Sequence, residues 1–252
     1  MKTFLQFVLL GTLLLGCSTD DTDATSDNGD DDTITLATLI QDREIATSSV
    51  IACAGSTEDG SQVRVYLYPR PGVTNIRYFE TENSDINPND FNNYTEINPA
   101  LQGLFNDFLR FFEVAPESER WVVVTFEEEG VVNISNPIRL KHLTQATEYL
   151  PENVVVSNEV QATMPQFNWI DGTFDDTIIY FQIVSNEASD LLSGTYTFER
   201  TFQYYILDNV VLNITPEPPP NLDLDTDYTF TLLTVTEDNW VNLFSEVPFR
   251  LE

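Results

Sequence analysis

The chain has 252 residues, with 11 Lys or Arg against 41 Asp or Glu and a formal net charge of −30 at pH 7. Such an excess of acid repels phosphate backbones and anionic membrane surfaces, which excludes nucleic-acid binding, a function built on cations neutralising phosphates. One histidine and two cysteines support neither a zinc site of usual ligand spacing nor a Ser-His-Asp triad backed by further imidazoles.

The chain opens with Lys2, an apolar run from Phe4 to Leu15, and then Leu14-Leu15-Gly16-Cys17. A membrane-spanning helix needs about 20 apolar residues, so this run reads as the core of a secretory signal over residues 1–16. Later apolar runs are broken within about eight residues, as in strands. Leu14 to Cys17 resembles the lipobox of bacterial lipoproteins. That resemblance implies cleavage after Gly16, acyl chains on Cys17 and a lipid anchor in the outer membrane. Two or more chains hold stably where one holds marginally. The alternative is an ordinary secreted protein with a cysteine in its signal.

Residues 17–33 carry Asp20, Asp21, Asp23, Asp27, Asp30, Asp31 and Asp32 with no cation. Such a stretch buries too little apolar surface to order itself and reads as an extended, disordered acidic tether. It also resembles the surface-export signal of Bacteroidota-type lipoproteins. The protein is therefore expected on the cell surface or, failing that, on the periplasmic face.

From Ile34 onward, runs of β-branched and aromatic residues alternate with Gly, Pro, Asn and Asp clusters, the pattern of an all-β sandwich. Val63, Val65 and Leu67 alternate with Arg64, Tyr66 and Tyr68. Further candidate strands are Ile76 to Glu80, Trp121 to Phe126, Thr177 to Val184, Tyr196 to Tyr205, Val210 to Ile214 and Tyr228 to Val235. Asn98 to Phe112 stays open: Leu101, Leu104, Phe105, Phe108, Leu109 and Phe112 follow helical spacing, whereas the topology favours strand. Ser135 to Lys141 is echoed by Ser245 to Glu252, which places Arg139 and Arg250 about one sandwich apart. Two domains are expected, at 34–143 and 144–252.

In the second half, Met164 to Trp169 resembles strand B of a fibronectin type III module with its core tryptophan. Tyr180 to Val184 resembles strand C. Leu222 lies six residues before Tyr228, which resembles the tyrosine corner entering strand F. The resemblance implies two tandem immunoglobulin-like sandwiches, weaker in the first half, where Trp121 stands in place of the tyrosine. Gly72 to Tyr94 and Ser185 to Gly194 depart from it as insertions that lengthen loops beyond the family norm, and an immunoglobulin-like sandwich of other topology stays open for Ile34 to Lys141.

Several residues are singled out for chemistry. Cys53 lies in an apolar setting and reads as a buried thiol. His142, the single histidine, reads as a polar residue at the exit of the first domain. Asp223, Asp225 and Asp227 alternate and are candidate calcium ligands, although they lack the glycine and closing glutamate of an EF-hand. The sequons at Asn93, Asn133 and Asn213 read as coincidence in a lipobox protein. Tyr196, Phe198, Phe202, Tyr204 and Tyr205 exceed what one face buries easily, and Trp240, after Glu237-Asp238-Asn239, is a candidate for a binding surface. The expectation is a non-enzymatic, lipid-anchored binding or spacer protein for a protein or carbohydrate ligand, with no cofactor. The alternatives are a subunit of an envelope or secretion assembly and a carboxylate-dependent polysaccharide hydrolase.

Overall fold

The computed structural model describes residues 34–252 apart from 160, 162 and 205. The leader, Cys17 and the acidic stretch to residue 33 lie outside the described residues, as does Tyr205. The described chain is nearly all β. Its α-helix is a single turn, α1 (Leu36–Ile40), begun by the Thr35 hydroxyl accepting from the Thr38 amide at 3.1 Å.

The first half forms β1 (Ile45–Val50), β2 (Ala52–Ser56), β3 (Val63–Leu67), β4 (Thr74–Glu80), β5 (Thr95–Ile97), β6 (Leu101–Leu104), β7 (Leu109–Val114), β8 (Trp121–Glu128), β9 (Val131–Ser135) and β10 (Ile138–Arg139). One sheet runs β1-β9-β8-β4-β5 with β10 on β8; the other runs β2-β3-β7-β6. The second half forms β11 (Glu148–Tyr149), β12 (Val154–Ser157), β13 (Gln166–Trp169), β14 (Thr177–Asn186), β15 (Leu191–Thr197), β16 (Thr201–Gln203), β17 (Val210–Asn213), β18 (Asp227–Thr236) and β19 (Val241–Arg250). Its sheets run β11-β19-β18-β14-β15-β17 and β12-β13-β16.

The two halves repeat one plan. In each, a leading strand lies parallel to the strand that follows the F hairpin turn, β1 on β9 and β11 on β19. Lettered as in immunoglobulin-related sandwiches, each half sets strands A, B and E opposite G, F, C and C′. The echo in the sequence marks equivalent places: Arg139 pairs with Trp121, and Arg250 with Asp227, in each case the first residue of strand F.

The second sandwich keeps the features that its resemblance implies. Trp169 on β13 is buried and meets the Tyr180 ring edge-on at 5.4 Å. The Tyr228 hydroxyl accepts the Asp223 amide at 3.0 Å beside buried Leu222, the geometry of a tyrosine corner. In the first sandwich, Trp121 does something else. Its indole N–H reaches the Ser84 carbonyl at 3.0 Å, in the loop after β4.

Three expectations are corrected or resolved. Asn98 to Phe112 is strand: β6 and β7 form a hairpin whose turn holds Phe105, Asn106 and Asp107 at positive φ. Its helix-like spacing arises because β7 buries both faces, Phe112 toward its own core and Leu109 toward the second sandwich. Tyr196 to Tyr205 is not one strand, since β15 ends at Thr197 and β16 pairs with β13 in the opposite sheet. Ser185 to Gly194 is not a long loop but the tight turn between β14 and β15, which pair up to Ser185 and Leu191.

Candidate functional site

The central feature is the seam between the sandwiches. In β2, β3 and β7, alternate residues point to opposite faces. Ala54, Val65 and Phe112 fill the first core, while Cys53 and Leu109 face away from it and Phe111 lines the cleft beside them. In β14 and β18, Tyr180, Val184, Phe230 and Leu232 fill the second core, while Phe181, Ile183, Leu233 and Val235 face away. The outward sets meet in one apolar cluster, within which Phe181 and Tyr196 stack at 4.3 Å. Sheets covered on both faces need little polar alternation, so the middles of β14 and β18 read as mainly apolar runs.

Trp240 closes the seam, and its expected place on a binding surface is corrected here. It is 0% exposed and belongs to the core of the first sandwich, among Val50, Ala54, Ile138 and Leu140. The turn before β19 inserts into the neighbouring sandwich, and the Trp240 indole N–H donates to the Gln145 carbonyl at 2.7 Å. Around it, Ala54 N donates to the Asn239 carbonyl and Arg139 N to the Asp238 carbonyl, both at 3.0 Å. Thr147 Oγ1 donates to the Val241 carbonyl and accepts the Ser56 amide. Gly55 is required at this approach: a Cβ there would stand 2.9 Å from Thr147 Oγ1 and 3.1 Å from Val241 Cβ.

Lys141, one of only two lysines in the chain, is buried in this junction. Its Nζ lies 2.9 Å from Asp238 and 3.3 Å from Asp176. Burial tends to raise the Asp176 carboxyl, but hydrogen bonds from Asn242 and Gln145 together with the Lys141 charge hold it below its ordinary range. The sequence reading overlooked Lys141. The available signal was a lysine between Leu140 and His142 in a chain whose other charges after Lys2 are acids and arginines.

Two concave places flank the seam. The first is a cleft of about 140 Å³ between β3, β7, β14 and β18, lined by Cys53, Tyr66, Phe111, Phe181, Tyr196 and Thr231 among others. Burial pushes the Cys53 thiol up to about 12 and raises the Tyr66 and Tyr196 phenols. The interior is therefore uncharged at neutral pH. Its charged lining residues are Arg64, bonded to Glu113 at 2.7 Å and 5.0 Å above the Phe111 ring, and exposed Glu246. The second is an open polar groove of about 730 Å³ lined by Asn89, Trp121, Asn136, Asp176, Asp238 and Asn239, with Lys141 at its base.

The remaining candidates disperse. The calcium reading is corrected: the turn is not extended, Asp225 has φ +58°, and Asp227 pairs with Arg250 at 2.9 Å. No group of three or more metal-ligating side chains forms among the described residues. His142 Nε2 donates to the Pro116 carbonyl at 3.0 Å. Of the crowded aromatics, Tyr196, Phe202 and Tyr204 are buried, because the chain between them changes sheets and shares them between the seam and the second core. Phe198, at the crossing, is 65% exposed. Asn133 is buried and accepts from Arg70 at 2.9 Å. No described helix is long and apolar enough to cross a membrane.

No family model matches the chain, and no curated protein matches it. Among solved structures it is similar to the FN1–FN3 domains of chicken CNTN1, at 12% identity and a TM-score of 0.28, covering 82% of this chain and 68% of that one. It is also similar to the glycoside hydrolase domain of Spr0440, Endo-D, from Streptococcus pneumoniae R6, at 14% identity and a TM-score of 0.32. There the match covers 80% of this chain and 32% of that one. Likeness at these scores carries no functional argument, and the sandwich assignment rests on strand order and the tyrosine corner.

Proposed function

We propose that the protein is a non-enzymatic, lipid-anchored extracytoplasmic binding module, held by Cys17 at the outer membrane and displaying two fused sandwiches to a protein or glycan ligand. The observation that carries the reading is the polar groove at the junction. Trp121 and several carboxamides line a concave surface there, a fixed polar and aromatic wall of the kind that orients hydroxyl-rich or peptide ligands. The non-enzymatic part is supported by the groove carboxylates. Asp176 is held in its charged form and bound, with Asp238, to Lys141, whereas a general acid needs a raised carboxyl.

Two experiments test this reading. Titration of the full chain with neutral glycans and peptides, followed by calorimetry, should saturate in the native protein and fail in Trp121→Ala. Binding that survives the substitution moves the site elsewhere. Protease shaving of intact cells should digest the protein; digestion only after the outer membrane is permeabilised assigns the periplasmic face.

A second reading, a subunit of an envelope assembly, is favoured by β17. It is an edge strand with Val211 and Leu212 exposed and Leu207 exposed just before it, with neither lysine nor proline to blunt pairing.

A further inference from the structure

The cleft between the sandwiches carries an inference independent of the groove and of the anchor. Its wall is aromatic and aliphatic, and its ionisable interior groups are neutral at physiological pH. Apart from Arg64, bound to Glu113, and exposed Glu246, one polar group stands out. Thr231 on β18 is 2% exposed, lines the cleft, and its Oγ1 has no hydrogen-bond partner. A buried hydroxyl without a partner forfeits the bonds it made to water, and such groups are rare in native structures. The position has a partner row that explains its direction: Thr231 pairs with Ile183 on one side and Glu246 on the other, and all three line the cleft.

We propose that this cleft binds one small, neutral, mainly apolar molecule of about phenol size, with its single hydroxyl or carbonyl bonded to Thr231 Oγ1. Size supports this, since about 140 Å³ is close to the roughly 150 Å³ apolar cavity that takes benzene or xenon in another protein. Charge supports it too. A carboxylate or phosphate would enter an uncharged interior past Glu246 and an Arg64 already paired with Glu113, in a strongly acidic chain, whereas a neutral molecule carries no charge into it. The wall also suits a ring: Phe181 and Tyr196 present a stacked pair, and Phe111 with Tyr66 forms a tilted pair at 6.0 Å on the opposite sheet.

The probes are phenol and benzene, titrated separately into the full chain and followed by the melting midpoint and by calorimetry. Both should bind at one site and raise the midpoint, because a ligand that binds only the folded state stabilises it. Phenol should bind more tightly than benzene, by about 3- to 10-fold, the ratio expected from one net hydrogen bond. Thr231→Val keeps the shape and removes the hydroxyl, so it should preserve benzene binding and abolish the preference for phenol. Ile183→Phe should fill the cleft and weaken both probes; if that variant does not fold, Thr231→Val alone decides. Failure of both probes to bind, or a phenol preference that survives Thr231→Val, overturns the proposal. Loss of groove binding in Trp121→Ala leaves it untouched.

Discussion

The backbone of Ala54, on β2 of the first sandwich, is bridged in parallel to that of Trp240, in the last hairpin of the second. The bridge delivers the largest fully buried side chain of the described residues into a core built by the other half of the chain. Trp240→Ala should therefore lower stability by about 3–5 kcal/mol, the usual cost of emptying an aromatic core site. It should also separate the unfolding of the halves. The native chain should unfold in a single urea transition seen alike by circular dichroism and fluorescence, and the variant in transitions that no longer coincide.

The tyrosine corner makes a smaller prediction. Tyr228→Phe removes the acceptor for the Asp223 amide, and exposed Asp223 then turns to water. The expected loss is about 0.5–1.5 kcal/mol. It should appear as a lower urea midpoint with an unchanged slope.

Acid should unfold the protein through identifiable carboxyls. Asp59 is drawn down to about 2 by the Thr57 hydroxyl and the Ser61 amide. Glu127 is held low by the Arg43 hydrogen bond and Glu128 by that of Arg70, and Asp176 is low in the junction. Each has a folded value below its unfolded one, so the unfolded chain binds more protons in acid. Their contribution is complete above the unfolded range of about 4 and is lost as pH falls through the folded values. Urea midpoints should decline below about pH 4 and continue down toward pH 2.

Cys53 should be inert in the native state. With the thiol raised to about 12 by burial, almost no thiolate exists at pH 8. A disulfide-exchange reagent should leave it unmodified over the time in which it labels the urea-unfolded chain at once. Rapid native labelling would mean that the seam opens.

The dispersed aspartates predict that a chelator does nothing. Asp225 sits at a left-handed turn and Asp227 pairs with Arg250, so EGTA should leave the melting midpoint of calcium-treated protein where it was.

Much of the fold could be read from the chain because local rules agreed with the tertiary outcome. Val63 to Leu67 alternates apolar and polar residues and becomes β3 with that same alternation of burial. Leu222 and Tyr228 resemble the tyrosine corner of fibronectin type III modules in their spacing, and the corner that the resemblance implies is formed. The failures share one cause. Trp240 follows three polar residues, and its neighbourhood says turn; only a second sandwich, remote in sequence, makes that turn a buried plug. Phe105 and Phe108 mimic a helix because the second face of their hairpin is covered by β14 and β18. Lys141 carries a charge that solvent would ordinarily keep, and it is buried because Asp176 and Asp238 arrive from the other half. The cleft was illegible for the same reason. Neither Cys53 nor Thr231 has a neighbour in sequence that points to the other.

The insertion of Trp240 bears on how such a pair is inherited. Tandem modules strung on free linkers can be traded singly between proteins, each carrying its own interior. Here the interior of the first module is completed by a codon near the far end of the second. A replacement second module must arrive with its own indole-bearing hairpin, or it leaves a hole in a neighbour whose sequence never changed. Duplication could make this pair, but recombination within it is closed.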